Sequence, residues 1–149
     1  MSGHSPKAPD FRRRVEESFA LQTVMATIGA SLSHVEAGRC AVTLPMRADL
    51  CQQHGYLHAG ITTTLADTAA GYAALSLMPA GAEVLSTEFK INLLNPAAAP
   101  LFVARAEVLK SGRTLSVVRS DVWGEGDDRP APVLIATMLA TMICLSGKG

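Results

Sequence analysis

The sequence is short of charge. Only 17 % of its 149 residues are Asp, Glu, Lys or Arg, and the 13 acids balance the 13 bases. A chain with no net field has little electrostatic grip on a phosphate backbone, so no nucleic-acid partner is expected. The one basic run, Arg12-Arg13-Arg14, has no aromatic interleaving and reads as a solvated helix face. Cysteine is scarce as well. Cys40, Cys51 and Cys144 are odd in number and scattered, outside any CxxC spacing. That fits neither a disulfide framework nor a metal site, and predicts free thiols in a reducing cytoplasm. The first 14 residues, MSGHSPKAPDFRRR, hold no apolar core of a secretory signal. GxGxxG, GxxxxGK[ST] and GxSxG are all missing, which removes the common nucleotide cradles and the α/β-hydrolase elbow.

What is present is apolar: 48 % of residues, enough for one domain with its own core and no staples. Residues 1–9, with Gly3, Pro6 and Pro9, read as a flexible tail before a single domain over 10–149. From Asp10, a potential cap, Phe11, Val15 and Phe19 recur at helical spacing. Residues 30–36 and 39–46 read as strands about an Ala37-Gly38 turn. Residues 58–79 lack turn signals and end at Pro79-Ala80-Gly81, which predicts a long helix. Its small residues, among them Ala66, Ala69, Ala70, Ala73 and Ala74, make it thin enough to be enclosed by a sheet. Asp67 rules the same stretch out as a membrane span.

After Gly81 the period changes to two. In 84–94, Leu85, Phe89, Ile91 and Leu93 are expected on one face. In 101–109, Phe102, Ala104, Ala106 and Val108 face in, against Arg105 and Glu107 outside. Lys110 to Arg113 reads as a turn into a strand over 114–123. A polar loop follows, with Asp127, Asp128 and Arg129 solvated, and 133–145 is a last strand, apolar on both faces. The expected fold class is α+β: a curled antiparallel sheet of about six strands round one long central helix. Two apolar faces on the last strand also suggest a subunit interface.

Asp67 is the only charged side chain between His58 and Ala82. It is either an exposed or threonine-bonded carboxylate, or a catalytic one that burial in the helix tunes as a base. His58-Ala59-Gly60 opens the helix, where unpaired N–H groups and the positive dipole end can hold an oxyanion. His58 is either a cap or a base. No histidine has ligand spacing with a cysteine or carboxylate, so no metal is expected.

Leu57-His58-Ala59-Gly60, then Leu65-Ala66-Asp67-Thr68-Ala69, then Gly71, resembles the signature of the hotdog-fold acyl-CoA thioesterases. The pattern is most similar to the phenylacetate-pathway (PaaI-type) branch, roughly HGG followed by L-x-D-x-A. Ile28-Gly29-Ala30, Leu44-Pro45, Asn95-Pro96-Ala97 and Gly112-Arg113 fall in similar places, so the resemblance covers about residues 20–146. It implies hydrolysis of acyl-CoA thioesters without a cofactor, in a dimer or tetramer whose sites lie between subunits. By the same resemblance Asp67 is nucleophile or general base, and the Ala59 N–H polarises the thioester carbonyl. Gln52 of the opposite subunit positions water or thioester, and Ser86 or Thr87 orients the water. His58, Gly60, Thr68, Lys110 and Arg113 are implied as substrate contacts, the last two for CoA phosphates. Ala59 departs from the usual glycine; its amide survives, but its methyl narrows the space beside the carbonyl. That change favours the alternative of a hotdog protein that binds acyl-CoA or serves assembly without turnover.

Overall fold

The structure, a computed structural model, describes residues 3–126 and 129–146. Helices α1 (Phe11–Leu21) and α2 (Thr23–Ile28) come first. Strands β1 (Ser31–Glu36) and β2 (Arg39–Pro45) precede α3 (Ala59–Leu75). Strands β3 (Glu83–Leu93), β4 (Leu101–Ser111), β5 (Leu115–Glu125) and β6 (Val133–Leu145) complete the fold. All six strands form one antiparallel sheet in the order β1-β2-β4-β5-β6-β3. It is the expected α+β hotdog: α3 packs against every strand from β2 to β6.

Side-chain size explains that enclosure. Leu65, Ala66, Ala69, Ala70, Ala73 and Ala74 are all fully buried on α3. Facing them are large interior residues of the sheet, among them Leu44, Phe102, Val118, Val122, Met138 and Met142. Alanines on the helix leave room for this layer, and each large side chain contributes about 1.5–3 kcal/mol by leaving water. The helix ends four residues before Pro79. Ser76 caps it, its hydroxyl accepting from Gly38 N–H (2.8 Å) and donating to the Ala73 carbonyl (2.7 Å). Leu77 and Met78 then bond back three residues rather than four, so the last turn tightens ahead of Pro79.

Two strand assignments need correction, both because of a bulge. In β3 the register passes from Ser86↔Met142 to Glu88↔Thr141, leaving Thr87 extra. One extra residue reverses the alternation, so Leu85 faces away from the side shared by Phe89, Ile91 and Leu93. In β4 the register skips Leu109, and Lys110 and Ser111 stay in the strand. The turn is therefore Gly112–Thr114, closed by Gly112 N–H to the Leu115 carbonyl (2.9 Å). The outer face of β6 is also less apolar than expected, with Thr137 and Thr141 flanking Leu139.

The N-terminal region is tied down. His4 Nε2 bonds the Val108 carbonyl (2.9 Å) and Ala8 is buried, so the described part of the expected flexible tail lies on the domain. Asp10 bonds Arg13 (2.6 Å) instead of capping α1. Arg14 is not solvated: its guanidinium donates to the Met78 and Ala82 carbonyls (3.2 and 3.1 Å), fixing α1 beside the end of α3. Arg129 likewise donates to the Ala98 carbonyl, while Asp127 and Asp128 lie outside the described residues.

Candidate active site

The start of α3 is built by a short loop. Cys51 bridges to Leu57, and within that closure Gln52 N–H bonds the Tyr56 carbonyl (2.9 Å). Gly55 takes φ 82°, a left-handed conformation that glycine adopts without strain. The Gln52 side-chain oxygen accepts from His54 N–H, which leaves its amide NH₂ without a partner among the described residues. His58 is the N-cap: its Nδ1 accepts from Gly60 N–H at 2.8 Å, so the ring proton sits on Nε2. A Cβ at Gly60 would stand 3.0 Å from that nitrogen, so the glycine keeps the cap in place. Ile61 and Thr62 N–H both bond the His58 carbonyl. Ala59 N–H has no acceptor among the described residues and is exposed at the positive end of the helix. A cleft of about 370 Å³ opens here, lined by Gln52, Tyr56, Ala59, Leu93 and Leu94 among others.

Asp67 stands two turns along α3, half-buried rather than enclosed. Ser86 Oγ donates to its Oδ1 at 2.6 Å, the short distance of a hydrogen bond to a charged acceptor. Ser86 reaches it because its register partner Met142 belongs to the interior face of β6. Thr87, the bulged residue, is turned elsewhere and donates to the Thr141 carbonyl (3.0 Å). Thr68 is buried beside Asp67. Both line a second cleft of about 280 Å³, with Ser18, Gln22, Tyr72 and Glu83 on its other walls.

The fold therefore groups the expected residues into two sets. Gln52, His58, Ala59 and Gly60 gather at the helix start; Asp67, Thr68 and Ser86 gather in the second cleft. The sets are not brought together within one protomer. Eight residues of helix separate Ala59 from Asp67, about 12 Å at 1.5 Å per residue. Lys110 and Arg113 join neither set; both are exposed, without side-chain partners among the described residues. They do lie at the Ser86 end of the sheet, since Ser86, Met142, Ser116 and Ser111 align across β3, β6, β5 and β4. Tyr72, Gln22 and Ser18 were missed in the sequence; the available signal was Tyr72, the one aromatic residue in a helix of small ones.

All three cysteines are free, and burial pushes the Cys40 thiol up to about 12, which leaves it inert. Among the described residues no His, Cys, Asp or Glu side chains cluster as metal ligands, and no helix is long and apolar enough to cross a membrane.

The likeness of this chain to known proteins follows its whole fold, an antiparallel sheet curled round a central helix. The thioesterase superfamily profile matches residues 54–131, which include the helix start, Asp67 and Ser86, and the chain belongs to that superfamily. Its nearer likenesses are specific. A thioesterase family protein from Silicibacter pomeroyi superposes with a TM-score of 0.89 at 47 % identity, over 92 % of this chain and 99 % of that one. The 1,4-dihydroxy-2-naphthoyl-CoA hydrolase of Listeria monocytogenes is 33 % identical over 61 % of this chain and 74 % of its own length. The PaaI protein of the E. coli phenylacetic acid degradation operon shares the fold, with a TM-score of 0.83 at 20 % identity over 95 % of this chain and 98 % of that one.

Proposed function

We propose that the protein hydrolyses acyl-CoA thioesters at sites formed between two copies of the chain. The carrying observation is the Asp67 carboxylate, held by Ser86 at 2.6 Å on the same helix that presents the open Ala59 N–H. One protomer cannot set both on a single carbonyl, because about 12 Å of helix lies between them. A second copy resolves this if its helix start faces the first copy's Asp67. The sheet edge supports such pairing: among the described residues β3 is unpaired on one side, and it exposes Phe89 and Leu93.

In that arrangement the Ala59 N–H and the helix dipole hold the developing oxyanion. Asp67 supplies the oxygen that attacks the carbonyl carbon or takes the proton of an attacking water. When water attacks, the C–S bond breaks to give the free acid directly. When Asp67 attacks, it breaks to leave a mixed anhydride on Asp67, which a water then hydrolyses to the acid and the free carboxylate. On both routes CoA leaves as a thiolate that takes up the proton the water gives up. Gln52, through its NH₂ end, orients the thioester or the water, and Ser86 fixes the carboxylate. Lys110 and Arg113 contact the CoA phosphates, and His58, Gly60 and Thr68 shape the walls. CoA arrives with the substrate, so no separate cofactor takes part. Three free thiols suit a cytoplasmic setting.

A second reading, acyl-CoA binding without turnover, is favoured by the Ala59 methyl beside the oxyanion position. A panel of acyl-CoA esters with free-thiol detection separates the two: release of CoA supports the enzyme, while binding without release supports the rival. Mixing Asp67→Asn with Gln52→Ala protein tests the shared site. Each variant alone is expected to be crippled, and hybrids regain activity because one site in each keeps both residues. No recovery in proven hybrids contradicts the shared site.

A further inference from the structure

The far wall of the Asp67 cleft carries a small hydrogen-bond chain that nothing in the hydrolysis uses. Gln22 Nε2 donates to the Tyr72 hydroxyl at 2.9 Å, and Ser18 Oγ lies 3.2 Å from the same oxygen. Tyr72 is almost fully buried, on the far side of Asp67 from the helix start, and Phe19 packs on its ring at 5.9 Å. Hydroxyl counting shows what is left over. Tyr72 and Ser18 bring two O–H protons, and the bond between them uses one. The other proton has no acceptor among the described residues, and the Gln22 side-chain carbonyl has no donor. Three residues that line the cleft thus hold one donor and one acceptor, both uncharged, that no described residue engages.

Charge narrows the choice further. Asp67 and Glu83 both line the cleft, and among the described residues no lysine or arginine does. Arg14, which anchors α1 beside this end of α3, is committed to the Met78 and Ala82 carbonyls. A carboxylate on the acyl group would meet two like charges without a counter-ion. Five residues of helix separate Tyr72 from Asp67, about 7.5 Å at the helical rise, the reach of a short acyl chain whose carbonyl lies at Asp67.

We propose that the cleft selects acyl groups ending in an uncharged hydrogen-bonding group, above all a hydroxyl, and that Tyr72, with Gln22 and Ser18, reads that group. The inference rests on the thioesterase reading and adds three specificity residues and a substrate class to it.

Three CoA esters of one chain length test it: hexanoyl, 6-hydroxyhexanoyl and adipoyl. One neutral hydrogen bond predicts about a tenfold higher kcat/KM for the hydroxylated ester than for hexanoyl-CoA. Adipoyl-CoA is expected to be the poorest of the three. Tyr72→Phe removes only the hydroxyl and should bring the hydroxylated-to-hexanoyl ratio down to near one. Gln22→Ala, at a half-buried site, should lower the same ratio if Tyr72→Phe fails to fold. Hydrolysis of all three esters at equal efficiency, or a ratio unmoved by both variants, overturns the selectivity and leaves the thioesterase reading standing. Release of CoA from none of them overturns the thioesterase reading and the inference with it.

Discussion

Gly71 and Ala73 lie two residues apart on α3, and the structure predicts opposite signs for exchanging them. A Cβ built at Gly71 meets nothing within 4 Å, its φ is an ordinary helical one, and the residue lines the Asp67 cleft. Gly71→Ala therefore recovers helix propensity without a clash, about 0.8–1.0 kcal/mol of added stability. For a domain of this size that is about 2–4 °C in Tm. Ala73 is fully buried against the sheet. Ala73→Gly loses about 1 kcal/mol of propensity and about 0.8 kcal/mol for the buried methyl, so it should cost about 1.8 kcal/mol. Urea unfolding of both variants beside wild type gives the two signs directly. The new methyl at position 71 lies one turn from Asp67, on the same helix face. It should lower kcat/KM for acyl-CoA esters even as stability rises. If Gly71→Ala destabilises as Ala73→Gly does, the cleft beside Asp67 is filled rather than open, and the reasoning fails.

His58→Ala removes the cap on Gly60 N–H and should cost about 1 kcal/mol in urea unfolding, with His58→Asn restoring much of it. An unchanged midpoint for the alanine variant means the cap contributes nothing. The Arg39 guanidinium, 2.8 Å from Glu107, holds that carboxyl below its usual range. A depressed carboxylate stabilises the fold fully above its ordinary pKa and loses that contribution as pH falls through the lowered one. Glu107→Gln should thus lower the urea midpoint at neutral pH, and the gap to wild type should close in acid; a gap that persists in acid contradicts the assignment.

Much of the fold was legible because local signals agreed with tertiary need. The alanine-rich run of α3, the Gly38 turn and the inward row Phe102-Ala104-Ala106-Val108 carry their environments in their spacing. The bulges at Thr87 and Leu109 were not legible, because an extra residue leaves no mark in a two-residue period; it shows only in the register with β6 and β5. The site divided in the same way. Asp67 stood out as a lone charge and His58 as a cap before the helix. The choice between Ser86 and Thr87 as the hydroxyl beside Asp67 depended on the bulge, so only the structure gives it. Arg14 and Tyr72 find their partners more than 45 residues away, in contacts that no window of sequence contains.

The account turns on the Asp67 carboxylate, and Asp67→Asn isolates it by keeping shape while removing the charge. Measured on an acyl-CoA ester that the wild-type protein hydrolyses, kcat should fall by about 10²-fold or more, with fold and oligomeric state unchanged. Wild-type kcat in a correctly assembled Asp67→Asn protein would contradict the assignment of Asp67 and the mechanism built on it.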